Sequence, residues 1–491
     1  MHTSVVALSQ GKVRGSVTGS VHEFLGIPYA AAPLGAALFQ APGPAPSWDD
    51  ERDATHFGPT APQLGYQEPL RSILHNPAVE GAEFLNLNVW TPDPAASGLP
   101  VMVWIHGGAY RLGSSAVSVY NGHAFARDGV VLVSLNYRLG AIGFAALEGT
   151  PANRGLLDQI AALQWVRDNI ASFGGDPGQV TLFGESAGGM SVATLLASPL
   201  TEGLFHRAII QSANGTIAST LEDARLVAAD FAGRLDTTPE TTPIPALLEA
   251  EQNLVLDFTL NQNPSRWGQS TITASLGLMA FHPTIDGHTL TQLPVEAIAA
   301  TTNVPLIIGT TADEFRLYSA PTGLTTALTP ETLTNVLTAR GLDPAIADTY
   351  SANRPDATPG DVLAAILTDF AFRIPTIHLA EAATTAYAYE FAWPTTHLDL
   401  RACHAIEIAF VFDTLAAEGT KMLLGPDTPP QTLAAEIHRA WIDFAHGRTP
   451  WDAYNPDTRP VMTFNTPRSQ LVSNPRADER ELWSNMSRPE F

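Results

Sequence analysis

"VTLFGESAGGMSVATLLA" (Val180–Ala197) sets a short apolar run against a turn of small residues and then a second apolar run. The first run reads as a strand buried on both faces, the second as a helix. Between them, Gly184-Glu185-Ser186-Ala187-Gly188 is a G-x-S-x-G pattern in the setting that gives it chemical meaning, a tight strand-to-helix turn. Such a turn forces unusual dihedrals on the serine, and flanking glycines let helix and strand approach closely. The hydroxyl is lifted above the sheet edge beside a helix N-terminus, where backbone N–H groups favour developing negative charge. Alone, the pattern also describes a glycine turn with Ser186 capping the helix. The strand before and the helix after favour a nucleophile.

The surrounding chain supports that setting. "VMVWIH" (Val101–His106), "VVLVSLNY" (Val130–Tyr137), "HRAIIQSA" (His206–Ala213), "VPLIIGTT" (Val304–Thr311) and "AYAYEFAW" (Ala386–Trp393) read as further buried strands. Leu156, Ile160, Leu163, Val166 and Ile170 form one apolar stripe, which predicts a helix over 156–170 closed by "GGDPG". Strands alternating with helices imply an α/β protein with a mostly parallel sheet flanked by helices. The first hundred residues are rich in proline and glycine and read as short strands and loops. Residues about 215–300 and 315–385 are more helical and threonine-rich. They are expected as insertions covering the sheet's carboxyl edge within one domain spanning 1–491.

Composition narrows the function classes. The 491 residues carry 26 lysines and arginines against 49 acids, a net charge of −23. Such a surface repels phosphate backbones and anionic lipid, so neither nucleic acid nor membrane is an expected partner. The apolar runs noted, such as "GVVLVSLNY" (Gly129–Tyr137), are too short to span a bilayer. No signal-peptide pattern opens the sequence, and its one cysteine, Cys403, excludes an intrachain disulfide; both fit the cytoplasm.

A serine needs a base, an orienting acid and oxyanion donors. "WIHGGAY" (Trp104–Tyr110) ends a strand with paired glycines, so the N–H groups of Gly107 and Gly108 are candidate donors with that of Ala187. Sites of this kind place the acid and then the histidine later in the chain. Asp313 and Glu314 follow the strand "VPLIIGTT", and His397 and His404 follow "AYAYEFAW". The residues alone do not choose within either pair. Tyr110, Met190, Phe281, Phe315, Leu317 and Tyr318 flank these positions and are candidates for an apolar pocket. Glu185 is expected to be a buried structural acid, Cys403 a small buried hydrophobe, and Asn136, Arg138 and Asp158 a core polar network. His404 and Glu407 have helical ligand spacing, but no further ligand pattern accompanies them, so no metal is expected.

With these residues in view, the chain resembles the type-B carboxylesterases, cholinesterase-like α/β-hydrolases, and within them the bacterial para-nitrobenzyl esterase kind. The resemblance is carried by "FLGIPYA", "LNLNVWTP", "WIHGGAY", "NYRLGAIGF", "GGDPGQVTLFGESAGG", "FHPTIDG", "GTTADEF" and "CHAIEIAFVF", in order along nearly the whole chain. It implies an α/β-hydrolase fold and a serine esterase without cofactor or metal, acting on small-molecule esters. The implied triad is Ser186, Glu314 and His404, with an oxyanion hole at Gly107, Gly108 and Ala187. The same machinery serves carbamates or amides, and some members of this fold bind without catalysing. Three departures stand out. Phe315 replaces a family glycine after the acid, and Ala213 replaces the glycine of "QSG". Ala61 and Phe84 replace the cysteines that close an early loop at the site mouth. That loop, about 61–84, must be held by packing or be mobile.

Overall fold

The computed structural model describes residues 2–484 except Leu276 and Thr302. Thirteen strands build its large sheet. They are β1 His2–Ala7, β2 Lys12–Thr18, β3 Val21–Pro28, β4 Glu51–Asp53, β5 Asn86–Thr91, β6 Leu99–Ile105, β7 Val131–Leu135, β8 Gly175–Glu185, β9 Arg207–Gln211, β10 Leu306–Thr311, β11 Ala386–Phe391, β12 Pro460–Phe464 and β13 Gln470–Ser473. In space they run β1-β2-β3-β5-β7-β6-β8-β9-β10-β11-β12-β13, with β4 beside β2. From β7 to β12 every neighbour is parallel, and antiparallel pairs flank that block at both edges. This is the α/β-hydrolase fold anticipated from the sequence.

The central strands are apolar on both faces because both are covered. Val101, Val103 and Ile105 of β6 enter one core, with Leu182 of β8 and Ile210 of β9. The intervening Met102 and Trp104 enter the opposite core, with Phe183 and Ile209. A period of two thus sorts one continuous hydrophobic run into two layers. Helices α1 (Arg154–Asn169) and α2 (Ala187–Ala197) contribute to the first layer, and α7 (Gln431–Ala445) to the second. Segment 215–300 supplies α3 (Leu221–Gly233) and α4 (Ile244–Leu260), and segment 315–385 supplies α5 (Pro359–Thr368) and α6 (Ile374–Ala382).

Among the described residues one helical stretch, Pro359–Ala382, is long and apolar enough to cross a membrane, unlike the runs read from sequence. A π-turn over Asp369–Arg373 joins α5 to α6 and makes the stretch continuous. Its charges are paired: Arg373 Nη2 lies 2.5 Å from Asp369 Oδ2 within the stretch, while Asp361 and Glu381 pair with Arg316 and Arg459 outside it.

Asn136, Arg138 and Asp158 form the polar core expected of them. Arg138 donates through Nε and Nη2 to both oxygens of Asp158 on α1, at 2.8 and 2.6 Å, and through Nη1 to the carbonyls of Leu38 and Gln40. Asn136 accepts the Ser115 N–H and donates to the Pro59 carbonyl. Removing one partner of a buried ion pair strands the other charge in a low dielectric. Asp158→Ala is therefore expected to lower unfolding free energy by about 3–5 kcal/mol, measured by urea denaturation.

Candidate active site

The turn at the end of β8 has no room for alternatives. Ser186 sits at φ 57°, ψ −125°, a conformation rarely held by a non-glycine residue, and α2 starts at the next residue. A Cβ on Gly184 would stand 2.5 Å from the Gly188 carbonyl carbon, and one on Gly188 would overlap the Ile105 carbonyl oxygen. The helix backbone therefore rests directly on strands β6 and β8. Backbone bonds lock the turn: Ser186 N–H donates to the Gln211 carbonyl, and Met190 N–H to the Ser186 carbonyl.

The loop after β6 closes against this turn. A Cβ on Gly107 would lie 2.7 Å from the Glu185 carbonyl oxygen and 3.0 Å from the Ser186 Cβ. Gly108, at φ 114°, accepts the N–H groups of Arg111 and Leu112. Gly107 thus abuts Ser186, Ala187 follows it in the chain, and Gly108 lines the same cavity as both Gly107 and Ser186.

Glu314 and His404 come together, while Asp313 and His397 do not join them. His404 Nδ1 lies 2.6 Å from Glu314 Oε2, with both residues buried. Glu314 Oε1 accepts the Thr311 N–H at the end of β10, and the Glu314 carbonyl accepts the His404 N–H. Asp313 instead brackets Ala402, donating its N–H to the Ala402 carbonyl and accepting the Ala402 N–H. Asp313 thereby anchors the chain two residues before His404. His397 packs its ring against Gly425, away from the turn.

Glu185 is buried, as expected of it, and its side chain reaches the imidazole. Its Oε1 lies 3.1 Å from His404 Nε2, although neither atom makes an aligned hydrogen bond. Glu407 sits nearby and accepts from Gln211 Nε2, whose Oε1 in turn accepts the Trp441 indole N–H. Burial pushes Glu185 up to about 8, with His404 opposing and Glu407 and Glu314 reinforcing the rise. Burial, aided by Glu314, lifts Glu407 to about 7. Burial disfavours the His404 imidazolium, but Glu185 and Glu314 outweigh it and raise the ring to about 9.

A cavity of about 450 Å³ opens over Ser186, Glu185 and His404. Of the residues read as pocket candidates, Met190, Leu317 and Tyr318 line it and Tyr110, Phe281 and Phe315 do not. Tyr110 is fully buried with its ring on Phe144. Phe281 packs edge-on against Phe231 of α3. Phe315 donates its N–H to Thr368 Oγ1 and packs its ring, tilted by 53°, against that of Tyr318, so it backs the wall. Sequence reading missed Tyr66, Arg111 and Phe372 as lining residues, the last with its ring 4.8 Å from His404. The early loop supplies much of the mouth and is held without a disulfide. Gln63 exchanges hydrogen bonds with both backbone groups of Gly113 and accepts from Asn76, while Ala61 and Phe84 are buried. Ala213 is buried beneath α2.

The sheet, the strained serine turn and the histidine–glutamate pair define an α/β-hydrolase with a serine-centred site. The carboxylesterase family model matches residues 2–483, and the chain belongs to that family and is a carboxylic-ester hydrolase. It is 35% identical to the para-nitrobenzyl esterase of Bacillus subtilis (strain 168), over 98% of each chain. It is 32% identical to the phenmedipham hydrolase of Pseudarthrobacter oxydans, over 94% of this chain and 95% of that one. Among solved structures, a PNB esterase matches with TM-score 0.82 at 35% identity, covering 97% of this chain and 99% of that one. A Geobacillus stearothermophilus carboxylesterase matches with TM-score 0.83 at 32% identity, covering 98% and 99%.

Because Glu185 helps hold the proton on His404, Glu185→Gln should lower the pH at which that imidazolium titrates. A carboxylate this close is worth on the order of 1 kcal/mol or more even when well screened, so the shift should be about half a unit or larger. The downfield imidazole proton resonances report it; an unchanged or higher midpoint contradicts the coupling.

Proposed function

We propose that Ser186 forms an acyl-enzyme with carboxylic esters of small to medium size, using His404 as base and Glu314 as its orienting acid. The observation that carries this reading is the 2.6 Å contact between His404 Nδ1 and Glu314 Oε2, which leaves Nε2 turned toward the residue preceding Ser186. Ser186 Oγ attacks the ester carbonyl carbon as Nε2 takes its proton. The N–H groups of Gly107, Gly108 and Ala187 receive the negative charge that develops on the carbonyl oxygen. The tetrahedral adduct collapses, the C–O bond breaks, and His404 returns the proton to the leaving alkoxide. Water then attacks the acyl-enzyme by the same proton route and frees the acid and Ser186. Glu314 holds the useful tautomer and stabilises the imidazolium. The route needs no cofactor or metal.

The cavity volume lies in the range of small-molecule sites. That favours short or medium acyl chains and aryl leaving groups over long-chain triglycerides. The bound on size comes from Tyr318 and the early loop, since Phe315 stands behind the wall. Similarity to a phenmedipham hydrolase supports a second reading, in which the same three residues cleave carbamates; paired ester and carbamate panels separate the two.

A fluorophosphonate should label one residue stoichiometrically, and peptide mapping should place the adduct on Ser186. Ser186→Ala should lose at least about a thousandfold in turnover of para-nitrophenyl butyrate. An adduct elsewhere, or a fully active alanine variant, would remove Ser186 from this role.

The acid is tested separately. Glu314→Gln presents an amide that can favour the wrong imidazole tautomer and carries no charge for the imidazolium, so turnover should fall at least about a hundredfold. Asp313→Asn should stay within about tenfold of wild type, because Asp313 grips backbone and not the imidazole. The reverse ranking in folded variants, checked by circular dichroism, would transfer the acid's role to Asp313.

A further inference from the structure

Arg111 is the sole arginine or lysine among the residues lining the cavity. It follows the oxyanion loop closely, donating its N–H to the Gly108 carbonyl at 3.0 Å. Its guanidinium donates through Nη1 to Gln252 Oε1 at 2.9 Å. Of the five N–H donors on that group, this bond occupies one. No carboxylate lies within ion-pairing distance of it among the described residues, although most arginines of this acidic chain are ion-paired. Gln252, Val255 and Thr259 follow one another at helical spacing along α4, and the latter two line the cavity. The Arg111 side chain therefore runs toward the cavity-facing side of that helix. Tyr66 lines the same cavity, and burial with the Glu185 charge holds its phenol well above the ordinary range, with Arg111 opposing. The hydroxyl thus stays protonated, a neutral donor within electrostatic reach of the guanidinium.

We propose that Arg111 is a specificity-determining residue that receives a carboxylate carried by the ester substrate. The substrate class is then esters bearing a free carboxylate a few bonds from the scissile carbonyl, such as half-esters of short dicarboxylic acids. This assignment rests on the esterase reading above and adds to it the charge of the preferred substrate. A planar guanidinium fork matches a carboxylate in two parallel hydrogen bonds, which fixes orientation as well as affinity. The net charge of −23 works against an approaching anion, so a local cation is what admits one. The competing role for Arg111 is mechanical, tying the oxyanion loop to α4 through Gln252. That role touches every substrate alike, whereas a carboxylate receptor touches only the anionic ones.

The test compares kcat/KM for mono-4-nitrophenyl glutarate and 4-nitrophenyl butyrate, two substrates with the same leaving group and opposite demand for a cation. The readout is the ratio of the two values. Arg111→Gln should lower that ratio at least about tenfold, consistent with loss of a charge-assisted pair. Arg111→Lys keeps the charge without the fork and should lower it less; it also serves as the decisive variant if the glutamine form is unstable. Gln252→Ala removes the tether and should leave the ratio within about twofold. Glutarate should inhibit wild-type butyrate hydrolysis competitively, and more weakly in the Arg111 variants. Equal losses on both substrates, an unchanged ratio in Arg111→Lys and Arg111→Gln, or no turnover of the half-ester would overturn the assignment while leaving the esterase reading intact. Absence of butyrate hydrolysis by the wild-type enzyme would overturn both.

Discussion

The backbone contact between Gly188 and the Ile105 carbonyl governs the rest of the site. Because no Cβ fits there, α2 can begin directly on top of β6 and β8, with no intervening loop. That closeness leaves Ser186 a single turn in which to reverse direction, which is why it adopts positive φ. A strained residue persists only where its surroundings over-determine it. Here the Gln211 carbonyl holds its N–H from one side, and the glycine loop after β6 presses from the other. The position of the Ser186 Cβ is thus set by backbone packing.

A cost follows from bringing the chemistry so close to the core. Glu185, Glu314 and Glu407 lie buried around one imidazole, and three carboxylates cannot all stay charged without compensation. The structure distributes the load. Glu314 takes the Thr311 N–H and the imidazole, Glu407 takes the Gln211 amide, and Glu185 is left with His404 Nε2 alone among nearby cations. The least compensated carboxylate is also the one pushed furthest up, to about 8, and it contacts the nitrogen nearest the serine turn. Across this short contact each charge favours the other: the Glu185 carboxylate raises the imidazole, and the imidazolium opposes the rise of Glu185.

What the sequence revealed and what it hid divide along a physical line. Features made by backbone were legible, because glycine spacing and apolar runs report directly on close approach and strand burial. The serine turn and the paired glycines are of this kind, whereas the residues alone left Asp313 beside Glu314 and His397 beside His404 unresolved. Side-chain direction was not legible. Tyr110, Phe281 and Phe315 are adjacent in sequence to site residues, yet each turns into a neighbouring packing layer. Glu185 was read as structural because sequence places it beside the serine without showing that its side chain reaches the imidazole. The unbroken length of the Pro359–Ala382 helix was not legible because Asp369 and Arg373 interrupt its apolar run; their mutual pairing, with Tyr350 on Asp369 and the Pro475 carbonyl on Arg373, accommodates them in a buried helix.

The early loop shows how a lost covalent constraint is replaced. With Ala61 and Phe84 at the positions where the resemblance implies cysteines, a crosslink is replaced by two buried apolar anchors and a hydrogen-bonded clamp. The clamp differs from a disulfide in what it connects. A disulfide would join the loop to itself, whereas Gln63 joins it to Gly113, five residues beyond Gly108 in the loop that surrounds Ser186. The Gln63 amide thus ties the early loop, which shapes the mouth of the cavity, directly to the loop after β6, a link that a crosslink within the early loop would not make.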